Sequence, residues 1–259
     1  MSGWIFVRGA GDIATGVILR LVRCGFAVAA LETERPTAIR RAVSLCEAVY
    51  DGAAEVEGLR AVRCETMPPV YDGTVPILVD PEMTTLNSIT PAALVDATLA
   101  KRNLGMRRGL APVTVALGPG FTAGTDCDAV VETMRGHTLG AVLWQGAALP
   151  NTGVPGLVGG YGAERVIHAP AAGGLRVVRD IGSLVTAGEI VAYIGDTPVP
   201  APISGRVRGM LRNGFAVPKG MKTADIDPRP DTDWRTVSDK ARAVAGGVLE
   251  ALMAKGVRP

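Results

Sequence analysis

The stretch VRGAGDIATG, residues 7–16, runs an apolar segment into two closely spaced glycines and then into helical spacing. Gly9, Gly11 and Ala14 fit the pattern G-x-G-x-x-A between a predicted strand (residues 4–9) and a predicted helix in which Ile13, Val17 and Leu21 share a face. In that context the pattern is a dinucleotide fingerprint: the first glycine makes the tight turn, the second lets backbone amides approach a pyrophosphate, and the small third residue lets helix and strand pack closely. Thr15 completes the candidate cradle, and Glu32, at the end of the next apolar run (residues 27–32), stands where an acid binds a ribose hydroxyl. Asp12 argues the other way. A carboxylate in the first helical turn competes with a phosphate for the same amides, and the plain alternative is a strand–helix turn capped by Asp12.

The surrounding composition narrows the partners. The 259 residues are 47% hydrophobic and 20% charged, which is globular and not disordered. A net charge of +2 supplies no basic field, and 4% aromatics leave few stacking platforms, so nucleic acid is not expected. Cys24, Cys46, Cys64 and Cys127 show no CxxC spacing, so no metal cage is read. No apolar run approaches the roughly 20 residues of a spanning helix, and the first residues do not form a secretory signal. The expectation is a cytoplasmic protein with no membrane partner; a homo-oligomer is left open.

Outward from the motif, short apolar runs alternate with helical patterns. Strands are expected over 4–9, 27–32, 75–81 and 112–120, with helices between them, including residues 36–52 and a segment capped by Thr90 and Pro91. That rhythm predicts α/β architecture, a Rossmann-like parallel sheet covered on both faces, over residues 1–159. From 160 to 229 the texture becomes short strands and turns. Gly182, Val185 and Gly188 recur as Gly214, Val217 and Gly220, so one hairpin is built twice around VPAPISGRV. This unit is similar to the barrel-sandwich hybrid of biotinyl and lipoyl carrier domains. No lysine lies between Ile181 and Pro200, so the resemblance implies no biotin or lipoate. Residues 230–259 read as a linker and an amphipathic helix docking on the first domain through Val237, Ala241, Val244, Val248, Leu249 and Leu252.

A second glycine loop, LGPGFTAGTDCDAVVETMRGH, follows an apolar strand and brings Gly118, Gly120 and Gly124 toward the same sheet edge, where ligands of open parallel sheets bind. It carries candidate catalytic groups: Cys127 as a nucleophile, His137 for proton transfer, and Glu132 with Arg135. Each has a structural alternative. Cys127 reads equally as a small buried hydrophobe whose neighbours Asp126 and Asp128 raise its pKa, and Glu132 with Arg135 as an ion pair.

Six segments, among them GAGDIATGVILRL, ERPTAIRRAVSLCEAVYDG, VDATLAKRN and KGMKTADIDPR, resemble the YqeB family almost from end to end. That family is associated with selenium-dependent molybdenum hydroxylase systems, and a looser similarity is to XdhC-type maturation factors. The resemblance implies a maturation or accessory factor for a xanthine-dehydrogenase-like enzyme. Its ligand would be molybdopterin dinucleotide or another nucleotide, its role would include assistance to selenium or sulfur insertion, and its partners would be the hydroxylase and other maturation proteins. Two other readings stay open: an NAD(P)-dependent oxidoreductase, and a non-catalytic interaction module.

Overall fold

The computed structural model describes residues 3–259. The chain divides into two compact units. The first takes in the N-terminal stretch to Pro36, Ser44–Thr152 and Val237–Pro259; the second takes in Thr37–Val43 and Gly153–Thr236.

In the first unit the strands are Ile5–Arg8 (β1), Val28–Glu32 (β2), Ala53–Val56 (β3), Leu59–Cys64 (β4), Val75–Val79 (β5), Ala93–Asp96 (β6), Thr114–Leu117 (β7), Thr122–Ala123 (β8), Ala129–Val131 (β9), Val142–Leu143 (β10) and Gly146–Ala147 (β11). Nine of them form one sheet in the order β10-β9-β7-β6-β1-β2-β5-β4-β3. Its interior is parallel, and each edge is an antiparallel hairpin, β3 with β4 and β9 with β10. The interior strands are uninterrupted apolar runs, as strands buried on both faces require.

Helix α1 (Asp12–Arg23) crosses from β1 to β2, and the C-terminal helix α3 (Asp239–Ala254) packs on α1 and on β7, β9 and β10. Gly16 makes that packing close: a Cβ there would lie 2.7 Å from the Ala241 Cβ. Ser238 caps α3, its hydroxyl accepting the Ala241 amide at 3.1 Å. The expected docking face is buried at Val237, Ala241, Val244, Val248 and Leu252, with Leu249 at its margin. A second core gathers Phe6, Leu31, Leu94 and Ala116 of the sheet with Met83, Met106, Phe121 and Ala148 from connecting segments.

Helices on both faces are therefore not what covers the sheet, and the expected Rossmann-like architecture is corrected to a mixed α/β fold. Two helical expectations fail for identifiable reasons. Residues 36–52 hold only 3-10 turns and the single turn Ala48–Asp51 (α2), because Thr37–Val43 is drawn into the second unit. There the Met210 amide donates to the Ile39 carbonyl at 2.8 Å and Arg41 Nε to the Met210 carbonyl at 2.8 Å. The segment opened by Thr90 and Pro91 becomes β6, whose Ala-Leu-Val-Asp lies between β1 and β7.

The second unit holds Val166–His168 (β12), Gly173–Val177 (β13), Leu184–Val185 (β14), Ile190–Ile194 (β15), Thr197–Pro200 (β16), Gly205–Met210 (β17), Ala216–Val217 (β18) and Lys222–Asp227 (β19). They make two antiparallel four-stranded sheets, β12-β19-β17-β14 and β16-β15-β13-β18. One apolar cluster joins them, including Leu175, Val191, Val207 and Ile226. The internal repeat has a physical basis. Gly182, Gly188, Gly214 and Gly220 all have positive φ and flank the two shortest strands, β14 and β18, as turns. The expected all-β barrel-sandwich hybrid is nevertheless corrected. The unit is not a continuous 160–229 domain, since it incorporates Thr37–Val43 and runs to Thr236. The C-terminal helix belongs to the first unit, on which it was expected to dock.

Candidate functional site

Because β2, β1, β6, β7 and β9 are parallel, their carboxyl ends lie on one edge of the sheet, and the turns leaving them form the candidate site. Arg8, at the end of β1, organises this edge from inside. Its guanidinium meets Asp96 Oδ2 at 3.2 Å and donates to the Leu104 carbonyl at 2.8 Å and the Pro81 carbonyl at 2.7 Å. Asp96 is fully buried, and its other oxygen accepts the Thr98 hydroxyl at 2.7 Å and the Thr98 amide at 3.1 Å. A buried ion pair held by this many hydrogen bonds fixes geometry, and removing one partner strands the other. Neither residue was singled out from the sequence; a charge ending each of two apolar strands was the available signal.

The first glycine loop is tightly built. Gly9 has φ +93°, and a Cβ there would lie 3.2 Å from the Ala97 carbonyl oxygen, so glycine is required by backbone and space together. Ala14 is buried on the inner face of α1. Thr15 is fully buried; its hydroxyl donates to the Ala10 carbonyl at 3.1 Å and accepts the Leu45 amide at 2.9 Å. It pins the loop and the 3-10 segment beside it and does not face a ligand. Glu32 turns back on the loop: Oε2 accepts the Ala10 amide at 2.8 Å and Oε1 the Thr33 amide at 2.7 Å. Burial pushes its carboxyl above the ordinary value, and those amide bonds only partly offset the shift. The ribose-binding role expected for Glu32 is thus replaced by a loop-closing one. Asp12 accepts its own neighbour's amide, that of Ile13, at 2.9 Å.

Gly11 behaves differently. It is the N-cap of α1 at φ −68° and ψ −174°, a conformation open to any residue, and a Cβ there would meet nothing within 4 Å. Neither strain nor packing asks for glycine here. What glycine leaves is open space against the first turn of α1.

The second loop splits. Gly118 (φ +73°) and Gly120 (φ +106°) lie at the carboxyl edge. A Cβ on Gly118 would strike the Thr133 hydroxyl, and one on Gly120 would come within 2.6 Å of the Arg102 amide nitrogen, so the β6–β7 and β7–β9 connections press together here. The β6–β7 connection is itself strained, with Leu99 and Lys101 both left-handed at φ +53° and +62°. Gly124 lies elsewhere, in the turn that returns the chain to the start of β9, where its amide donates to the Cys127 carbonyl at 2.8 Å.

That return separates the expected catalytic residues. Cys127 precedes β9 at the amino edge, beside Asp128, whose amide donates to the Thr114 carbonyl at 2.9 Å. Glu132 follows β9 at the carboxyl edge. About 15 Å of extended chain stands between them. Cys127 is fully buried, and burial, with Asp126 and Asp128 adding to it, pushes its thiol up to about 12. It is a packing residue and not a nucleophile at neutral pH. Glu132 is 3% exposed and spends both oxygens on backbone: Oε1 accepts the Thr133 and Met134 amides at 2.6 and 2.7 Å, and Oε2 the Leu149 amide at 2.8 Å. Arg135 is held by Asp239 of α3 in a two-pronged pair at 2.8 and 3.1 Å. His137 is exposed on the following turn. Cys127, Glu132, Arg135 and His137 therefore do not assemble into one catalytic group.

What the edge does gather was not foreseen: Lys240, in the first turn of α3, feels Arg135, Asp12, Glu132 and Lys101 electrostatically. Among the described residues no group of three or more His, Cys, Asp or Glu side chains could hold a metal ion, and no helix is long and apolar enough to cross a membrane.

Comparisons with known proteins bear on the family more than on the chemistry. No family model matches the chain. It is 53% identical over 254 residues to the uncharacterized protein YqeB of Escherichia coli (strain K12), a match covering 96% of this chain and 47% of YqeB. The chain thus spans about half the length of this relative, and over that length it is a YqeB homologue, which supports the family resemblance. Among solved structures it is similar to the product-bound ectoine utilization protein EutE (DoeB) from Ruegeria pomeroyi, at 15% identity and a TM-score of 0.28 over 87% of this chain and 85% of that one. It is also similar to a succinylglutamate desuccinylase/aspartoacylase from Rhodobacter sphaeroides, at 16% identity and a TM-score of 0.28 over 87% and 85% of the two chains. Likeness at this level says nothing of fold or substrate.

Proposed function

We propose, from homology to part of YqeB, that this chain is a nucleotide-binding accessory factor. Its α/β unit would hold an anionic, dinucleotide-type ligand at the carboxyl edge of the parallel strands. The observation that carries this reading is Gly11, a glycine that neither its backbone angles nor its neighbours require and that leaves the first turn of α1 uncovered. Open space at a helix start supports a phosphate-bearing group, with the Asp12 carboxylate of that turn as the competing charge. The edge fits a ribose less well, because Glu32 is already bonded to the Ala10 amide. The family association makes molybdopterin dinucleotide the ligand to try first and maturation of a molybdenum hydroxylase the role.

The test is native mass spectrometry of the chain purified from a host that makes molybdopterin. The expected result is a bound mass in the dinucleotide range, released on denaturation. A bare chain after purification and after incubation with molybdopterin dinucleotide contradicts the reading.

The oxidoreductase alternative is left with His137 as its reactive group, since Cys127 is buried. The interaction-module reading has one observation in its favour: Val154 and Leu157 of the second unit are 71% and 72% exposed. Capture of a molybdenum hydroxylase by the ligand-free chain, lost on Val154→Ser with Leu157→Ser, would support it.

A further inference from the structure

The connection that leaves β2 is pinned at both of its ends to the first glycine loop. At its start Glu32 Oε2 accepts the Ala10 amide at 2.8 Å. At its return the Cys46 amide donates to the Ala10 carbonyl at 2.9 Å, and the Leu45 amide donates to the Thr15 hydroxyl at 2.9 Å. Both backbone polar groups of Ala10 are thus taken by one stretch of chain. Ser44, Leu45 and Cys46 are buried at that return.

Between those ends the chain belongs to the second unit. Ile39 is the anchor there: its carbonyl accepts the Met210 amide at 2.8 Å, and its side chain packs on that unit's apolar cluster. Gly209 of β17 makes room for it, since a Cβ there would lie 2.6 Å from Ile39 Cγ2. Arg41 completes the grip, with Nε donating to the Met210 carbonyl at 2.8 Å and Nη2 pairing with Asp180 Oδ1 at 2.6 Å. Val43 is the last residue of this excursion, and Leu45 already bonds Thr15, so only Ser44 stands between tip and base. One residue spans at most about 3.6 Å and has no slack to absorb a displacement.

We infer that residues 37–43 are a tether through which the second unit sets the order of the first glycine loop: releasing Ile39 and Arg41 from β17 loosens Leu45 and Cys46, and with them the hold on Ala10 and Thr15. Segments joined by a stiff connection open together, whereas a slack one lets each open alone. The inference concerns what fixes the loop and is independent of what the loop binds. Cys46 reports on it directly. Its thiol is buried, and burial, with Glu32, Glu47 and Asp12 adding to it, holds it well above its ordinary pKa. It therefore reacts only when the return segment opens. Cys127, buried in the same unit at the opposite edge of the sheet, reacts only when the sheet opens.

The experiment is native alkylation of the full chain at pH 8, with each cysteine followed by peptide mass. In the wild type Cys46 and Cys127 should both label slowly. Arg41→Ala removes a charged hydrogen bond and an ion pair from the tip, so it should speed Cys46 about tenfold and leave Cys127 unchanged. Gly209→Ala displaces Ile39 from the side of the second unit and should do the same. Acceleration of Cys46 and Cys127 by one common factor means only a weaker fold and overturns the inference. Unchanged labelling of Cys46 in either folded variant also overturns it. Should both variants fail to fold, Asp180→Asn, which removes only the charge of an exposed carboxylate, decides: a smaller rise confined to Cys46 is expected, and no rise overturns the inference. No ligand enters this test, so its failure leaves the nucleotide-binding reading standing.

Discussion

The Glu32 carboxylate accepts the Ala10 amide at 2.8 Å, so the acid ending the second strand closes the glycine loop that opens from the first. Its other oxygen takes the Thr33 amide. Glu32→Ala strands both amides and should cost about 1–3 kcal/mol, whereas Glu32→Gln keeps one acceptor and should cost less. Since burial raises the folded-state pKa of Glu32 above 4.5, its contribution is fully present below that value and is lost as pH rises through the folded pKa. Urea unfolding at pH 4 and pH 7 checks this: the stability gap between wild type and Glu32→Gln should change between the two.

Asp80, Asp128 and Asp227 have the opposite sign. Burial alone would raise them, but hydrogen bonds outweigh it: from Thr84 and Thr85 to Asp80, from Thr114 to Asp128, and from Arg229 to Asp227. Each is held below 3.8, so each adds stability above that value and loses it as pH falls through the folded pKa. Acid unfolding should therefore set in below about pH 4. Asp80→Asn should shrink the difference in stability between pH 7 and pH 3.

Two glycines of the second loop should respond unequally. Both Gly120 and Gly124 are left-handed, so alanine at either costs about 1–2 kcal/mol of backbone strain. Only at Gly120 would the Cβ also meet backbone, 2.6 Å from the Arg102 nitrogen. Gly120→Ala should then lower the thermal midpoint well beyond Gly124→Ala. Equal shifts would mean that the β6–β7 connection is free to give way.

Thiol accessibility separates the cysteines. Cys24 is exposed, while Cys127 is buried with its thiol pushed up to about 12. Iodoacetamide at pH 8 should alkylate Cys24 in the native chain and reach Cys127 only on unfolding. Rapid native labelling of Cys127 would restore it as a candidate nucleophile.

Much of the sheet could be read from the sequence, because β1, β2, β5 and β7 are apolar runs ended by turn residues, and position in a parallel sheet imposes that pattern. The run Ala93–Asp96 carries no periodicity of its own, and Thr90 with Pro91 mimics a helix start, so only its place between β1 and β7 reveals a strand. Thr37–Val43 has good helix formers, but its backbone is used by the second unit, a tertiary preference that local propensity does not register. At the site, Gly9, Gly11 and Gly120 were legible as glycines with a purpose. The separation of Cys127 from Glu132 was not, since it follows from the direction of β9. Lys240 was hidden because it lies more than 200 residues from the loop it approaches.

The central claim is that Gly11 is glycine for a ligand and not for the fold. Asparagine is a good N-cap, and at φ −68° with no neighbour within 4 Å it is tolerated, so Gly11→Asn should leave the thermal midpoint nearly unchanged. Native mass spectra of wild type and Gly11→Asn from a molybdopterin-producing host, taken beside their unfolding curves, test it directly. The account predicts a bound mass in the wild type that the variant lacks at equal stability. A variant that keeps the bound mass, or a wild type that carries none and takes up none, would contradict it.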